Sequence, residues 1–265
     1  MDKAILYDSS KCIACRACQV ACKSWNEHEA EETTNRGTYE NPEELSAKTW
    51  VKMRFIETER SDGKFAWLFA RRACMHCTDA SCALVCPTGA IFKTDEGFVH
   101  IDQEWCIGCA NCEQACPFDI PHKDHHKDGT AKKCTACTST GLNRQEEGLK
   151  PACVTTCPTG ALKFGGRDEL VGEGNQRVAE LKANGYSNAY LYGENELGGL
   201  HVLYILDESP KVYGLPESPQ TASSTVIEKW LAGAVTAGVL AAIPFWWLFK
   251  RKESMAANDK SKGGV

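Results

Sequence analysis

CIGCANCEQACP, residues 106–117, spaces Cys106, Cys109 and Cys112 evenly and sets Cys116 directly before Pro117. One loop with this spacing can turn three thiolates toward a single [4Fe–4S] cluster, while the fourth cysteine points away and ligates another. Pro117 lacks an N–H and cannot extend a preceding helix, so it fixes the turn at that remote ligand.

Three related groups lie outward from this stretch. Cys12, Cys15, Cys18 and Cys22 repeat the spacing, with Lys23 in the place of the proline. Cys74, Cys77, Cys82 and Cys86 form one variant with a longer internal interval, and Cys134, Cys137, Cys153 and Cys157 form another. The string CPTGA occurs identically at 86–90 and 157–161, so one chemical unit is repeated along the chain. These groups account for all 16 cysteines of the 265 residues.

Other uses of cysteine fit less well. A disulfide scaffold would be a shorter chain with its cysteines spread out. Zinc takes four ligands from two pairs and has no need of a triplet with a remote fourth cysteine, so a zinc-bound structural adaptor is the weaker reading. No Cys-x-x-Cys is followed by His, which excludes covalent haem on this motif, and the βαβ context of a thioredoxin-like pair is missing.

The remote-ligand rule predicts how the groups exchange cysteines. Pairing the adjacent second and third groups gives one cluster on Cys74, Cys77, Cys82 and Cys116 and one on Cys106, Cys109, Cys112 and Cys86. The first and fourth groups then give Cys12, Cys15, Cys18 with Cys157, and Cys134, Cys137, Cys153 with Cys22. The spacing also leaves open a pairing of the first group with the second.

Between the first two groups, Val51, Met53 and Phe55 alternate with Lys52 and Arg54, and Phe65, Trp67 and Phe69 alternate after Asp62-Gly63. This predicts a β-hairpin turning at Asp-Gly. A helix is expected over Asp168–Asn184, ended by Gly185, followed by strands at Tyr190–Tyr192 and His201–Leu206. The expected fold is α+β and loop-rich, with two bacterial-ferredoxin-like modules of two [4Fe–4S] clusters each and one C-terminal transmembrane helix. One module takes residues 1–73 and 117–208, with the hairpin insertion at 49–70, and the other takes 74–116. A Pro- and Ser-rich linker at 209–229, a membrane helix at 230–249 and a charged tail at 250–265 complete the chain.

The segment 230–249 holds no charged residue, and its length of about 30 Å as a helix matches a bilayer core. Lys250, Arg251 and Lys252 follow it at once, which predicts a cytoplasmic C-terminus and a periplasmic cluster domain. Trp230, Trp246 and Trp247 fit interfacial anchors, and Ala234, Gly238 and Ala242 form a small-residue ridge suited to a neighbouring membrane helix. Met1 to Ser10 shows no signal peptide, so export after folding, carried by a partner, is expected.

The remaining features point away from bond-breaking chemistry. The net charge of −5 gives no basic face for nucleic acid. There is no phosphate-binding Gly loop, nucleophile motif or acid–base carboxylate pair. His76, inside the second group, reads as a packing or backbone contact ahead of a cluster-tuning residue. His122, His125 and His126, among Lys123, Asp124 and Lys127, read as a solvated loop.

The four groups resemble the iron–sulfur subunits that accompany molybdopterin oxidoreductases. KCIACRACQVACKSWN (11–26), YENPEELSAKTW (39–50), KPACVTTCPTGALKFG (150–165), RVAELKANGY (177–186), GGLHVLYIL (198–206) and YGLPESP (213–219) further resemble the β subunit of respiratory, membrane-bound formate dehydrogenase. The resemblance implies a heteromeric complex embedded in the lipid bilayer. A catalytic α subunit with a Mo or W bis-pterin site would oxidise formate. This chain would carry electrons through four [4Fe–4S] clusters, and a cytochrome b γ subunit with haem b would reduce quinone. It also implies a higher oligomer of the heterotrimer. The module of the first and fourth groups would face the catalytic subunit, and the other the membrane haem. Related nitrate reductase subunits carry Trp for one cysteine of the third group, whereas all four are Cys here. The rival is the same kind of subunit serving a hydrogenase or a thiosulfate, polysulfide or sulfoxide reductase.

Overall fold

A computed structural model describes residues 2–60, 63–124, 129–139, 142–224 and 226–262. The chain divides after Thr221 into a cluster-bearing unit and a C-terminal unit.

The first unit is built on a four-stranded sheet. Its strands include β1 (Lys3–Asp8), a run the sequence reading did not single out; Ala4 to Tyr7 is too short an apolar string to declare itself. A helix, α1 (Ala17–Trp25), and a hairpin of β2 (Lys52–Glu59) and β3 (Phe65–Arg72) follow. The chain returns to the sheet through β4 (Leu162–Gly166), α2 (Arg167–Ala183), β5 (Tyr190–Tyr192) and β6 (Val202–Leu206). The strand order is β4-β1-β6-β5; β1 runs antiparallel to β4 and parallel to β6.

Successive side chains of a strand face opposite ways, and both faces here are covered. Ala4 and Leu6 of β1 and Leu203 and Ile205 of β6 pack against Leu170, Val178 and Leu181 of α2. Ile5, Tyr7, Val202, Tyr204 and Leu206 face the other way, into a core that includes Cys18, Cys22, Cys134 and Cys153. The helix α2 starts and stops within a residue of the predicted bounds. Gly185 at φ +95° follows Asn184, and the N–H groups of Gly185 and Tyr186 close onto the carbonyls of Lys182 and Leu181, a Schellman stop.

The hairpin forms where the alternation predicted, and the structure decides which face of its second strand is buried. Ala66, Leu68 and Ala70 are buried, whereas Phe65 and Trp67 are exposed. In the register Phe55 pairs with Phe69 and Glu57 with Trp67, so the aromatics share one face: Phe55 and Phe69 pack on the edge of the core, and Tyr39 lies against Phe55 and Trp67. Lys52 is buried and pairs with Glu40 at 2.7 Å. Gly63 donates to the Arg60 carbonyl at the turn, while Asp62 lies outside the described residues.

His122–Lys123 pairs with Ala131–Lys132 in a short hairpin, and Asp124 is buried 3.6 Å from Lys132, so this part of the stretch is not a solvated loop. His125, His126 and Lys127 lie outside the described residues. The segment after β6 is packed rather than loose at its start: Tyr213 is buried against Ser9 and Asp207, and Tyr192 donates to the Pro216 carbonyl.

The second unit holds one helix, α3 (Val226–Lys262), which runs past the predicted 230–249 through Ala, Lys, Glu and Met, all good helix formers. Trp230–Glu253 is long and apolar enough to cross a membrane. The hydroxyl of Thr236, the one polar side chain in 230–249, donates to the Ala232 carbonyl at 2.8 Å. Lys250 and Arg251 lie over the rings of Trp246 and Trp247.

Candidate metal-cluster sites

The four cysteine groups adopt the same local shape. A short helix begins one residue before the third cysteine each time: Ala17 before Cys18, Ser81 before Cys82, Asn111 before Cys112 and Ala152 before Cys153. The residue before the second cysteine is left-handed each time, with φ of +53° at Ala14, +49° at His76, +66° at Gly108 and +54° at Ala136. Such a conformation is disfavoured at three of those four positions, the non-glycine ones, and persists where the surroundings enforce it. It turns backbone N–H groups inward. Ala14, His76 and Ala136 donate to the Sγ atoms of Cys12, Cys74 and Cys134 at 3.4–3.5 Å.

The helices meet in pairs. α1 packs against Ala152–Thr155, and Ser81–Leu84 packs against Asn111–Ala115. The first group is thereby brought to the fourth and the second to the third. Cys12, Cys15, Cys18 and Cys157 line one small cavity with Tyr7 and Met53. Cys22 feels Cys134, Cys153 and Cys137 most strongly among charges, and Cys77 feels Cys74, Cys116 and Cys82. Cys112 faces Cys106 and Cys109, and Cys82 across the helix pair. In the two CPTGA strings, the hydroxyls of Thr88 and Thr159 stand 3.6 and 3.9 Å from the Sγ atoms of Cys86 and Cys157.

The chemistry of this donor set fits iron–sulfur clusters. All sixteen cysteines are free thiols. Burial pushes the thiols of Cys18, Cys112, Cys116 and Cys137 up to about 12, and neighbouring cysteines push the same way. Thiols held so high keep their protons at neutral pH unless a cationic centre replaces them. At Cys86 burial is outweighed by hydrogen bonds from Thr88 and from the Ile91 and Ala90 N–H groups, and its thiol falls. Among the described residues no three ligand-type side chains crowd onto one ion; a four-iron cluster spreads its thiolates over four irons and needs no such group.

Two buried cations stand among these sulfurs, and neither was marked by the sequence. Arg71 is 1% exposed, with Nη2 3.9 Å from Cys153 Sγ. Burial opposes its charge, but Cys153, Tyr204, Cys134 and Cys18 hold the guanidinium well above its ordinary range. Lys133 is 2% exposed; its Nζ donates to the carbonyls of Cys134, at 3.1 Å, and Val99. A charged residue beside a cysteine has no pattern of its own in a sequence, because surface lysines and arginines are common. His76 is fully buried, and its Nδ1 accepts from the Val99 N–H, the backbone contact expected.

Residues 11–90 and residues 65–167 each match a family described as a 4Fe-4S dicluster domain. The formate dehydrogenase-O iron-sulfur subunit of Escherichia coli K12 is 45% identical over 223 residues, 83% of this chain and 72% of that protein. The nitrate-inducible formate dehydrogenase iron-sulfur subunit of the same organism is 45% identical over 228 residues, covering 84% and 76%. The hydrogenase-2 operon protein HybA of Escherichia coli O157:H7 is more distant, at 32% over 228 residues, covering 76% and 69%. With its paired cysteine loops, two dicluster domains and apolar C-terminal helix, the chain belongs to the formate dehydrogenase iron–sulfur subunits.

Proposed function

We propose that this chain carries electrons in a membrane-bound formate dehydrogenase, from a molybdopterin catalytic subunit to a cytochrome b subunit. Formate oxidation yields CO₂, a proton and two electrons. Quinone takes up two electrons and two protons to become quinol. Each [4Fe–4S] cluster, when bound, supplies a one-electron site. The observation that carries this reading is the pairing of the cysteine helices, joined to the greater likeness to formate dehydrogenase subunits than to HybA.

Helix pairing supports four ligand quartets: Cys12, Cys15, Cys18 with Cys157; Cys134, Cys137, Cys153 with Cys22; Cys74, Cys77, Cys82 with Cys116; and Cys106, Cys109, Cys112 with Cys86. The first two quartets form the module of 1–73 and 117–208, and the last two that of 74–116. Electrons would enter through the former and leave through the latter. The protein's part is to hold the thiolates, exclude water from them and set their electrostatic surroundings.

In the C-terminal unit, the basic residues after the apolar stretch support a cytoplasmic C-terminus and a periplasmic cluster domain. Purification of the native complex tests the donor. Formate should bleach the brown visible absorption; bleaching by hydrogen and not by formate would refute the choice of partner. A reporter active only in the periplasm, fused to the C-terminus, should stay silent.

A further inference from the structure

Arg71 heads the fully buried side chains by size, yet nothing in electron transfer as described so far requires it. It stands at the root of the hairpin on β3, its carbonyl accepting from the Tyr204 hydroxyl. Nη2 reaches Cys153 Sγ at 3.9 Å, and Nε and Nη1 have no hydrogen-bond partner. Cys153, Tyr204, Cys134 and Cys18 act most on its charge, with no carboxylate among the leading groups, and Met53, opposite Arg71 in the hairpin register, has its Sδ 3.7 Å from Cys18 Sγ. A guanidinium removed from water without a counterion is strongly unfavourable, so this position demands anions. The anions at hand are cysteine sulfurs, and they come from two different groups. Cys18 belongs to the first and Cys134 and Cys153 to the fourth.

We propose that Arg71 is a positioning residue shared by two clusters, a fixed cation that raises the reduction potentials of both. The inference rests on the assignment of Cys18 and Cys153 to different clusters. Reduction adds an electron to a centre already made anionic by four thiolates. A cation beside it therefore stabilises the reduced form more than the oxidised form. Arginine keeps its charge throughout the working pH range, so the bias is constant. The two unpaired donor positions remain available to sulfur, and hydrogen bonds to sulfur act in the same direction. Electrons entering this module would be held there rather than returned to the donor side.

The test is an EPR-monitored redox titration of the intact complex, with iron and sulfide content measured on the same samples. Arg71→Gln removes the charge, and Arg71→Lys keeps it. With four clusters retained, Arg71→Gln should lower two of the four reduction equilibria at least tenfold, about 59 mV for a one-electron couple. Arg71→Lys should lie near the wild type. Four unchanged potentials in a fully loaded Arg71→Gln protein overturn the proposal, and a single shifted potential overturns the sharing. Should Arg71→Gln fail to load, wild-type complex labelled with guanidino-¹⁵N arginine decides by pulsed EPR. Nitrogen coupling to two reduced clusters supports the proposal, and its absence overturns it. Wild-type protein holding fewer than four clusters would instead refute the cluster reading, independently of Arg71.

Discussion

The Val99 N–H donates to Nδ1 of His76 at 3.0 Å, which places the ring's own proton on Nε2. His76 sits between Cys74 and Cys77, with left-handed backbone, and is fully buried. The contact ties the second cysteine loop to the Val99–Ile101 strand, and the His76 carbonyl in turn accepts from the His201 N–H next to β6. One side chain thus joins a cluster loop to the strand between two cysteine groups.

His76→Leu should therefore destabilise the second loop. The Val99 N–H would be left buried and unpaired, at a cost of about 1–3 kcal/mol. The thermal midpoint for loss of visible cluster absorption should fall, and an unchanged midpoint would show that the bond carries no weight.

Gly108→Ala should empty the third loop. A Cβ there would lie 2.0 Å from the Gly129 carbonyl oxygen, a backbone atom that cannot swing aside, at φ +66°. Gly89→Ala has the same sign of φ and open space around it, so it should cost only left-handed strain, about 1–2 kcal/mol. Iron content per chain separates them: a large loss for Gly108→Ala, and little for Gly89→Ala.

Replacing remote cysteines should reveal the exchange of ligands. Cys157→Ser and Cys15→Ser are expected to abolish or alter the same EPR signal, and Cys153→Ser a different one. If Cys157→Ser instead matched Cys153→Ser, the fourth group would serve a single cluster.

Acid should weaken the fold through His100. Burial, helped by the charge of Lys133, pushes its imidazole down to about 4, and Nε2 lies 2.8 Å from Thr138 Oγ1. In the unfolded chain the ring protonates near 6.5. The unfolded state thus binds the proton first, and the stability of the neutral ring is complete above about 6.5 and lost as pH falls toward about 4. Thermal midpoints measured between pH 7.5 and 4.5 should drop more steeply for the wild type than for His100→Gln. Parallel curves would remove His100 from the account.

Much of this protein is written locally. A Cys-x-x-Cys-x-x-Cys spacing fixes how one loop can wrap a cluster, because neighbouring residues along a chain cannot stray far from each other. Trp230–Glu253 is by length and composition able to cross a membrane, and Gly185 ends α2 because glycine accepts φ +95° without cost. The tertiary structure decided what depends on distant parts of the chain meeting. It packs α1 against Ala152–Thr155, and so brings Cys157 to the cavity of Cys12, Cys15 and Cys18. The pairing of Phe55 with Phe69 turns Phe65 and Trp67 outward, although alternation alone allowed either face. Arg71 and Lys133 look like surface charges in the sequence. They are interior because distant segments meet them, Cys153 at Arg71 and the Val99 carbonyl at Lys133, and burial is a property of the assembled fold rather than of a residue and its neighbours.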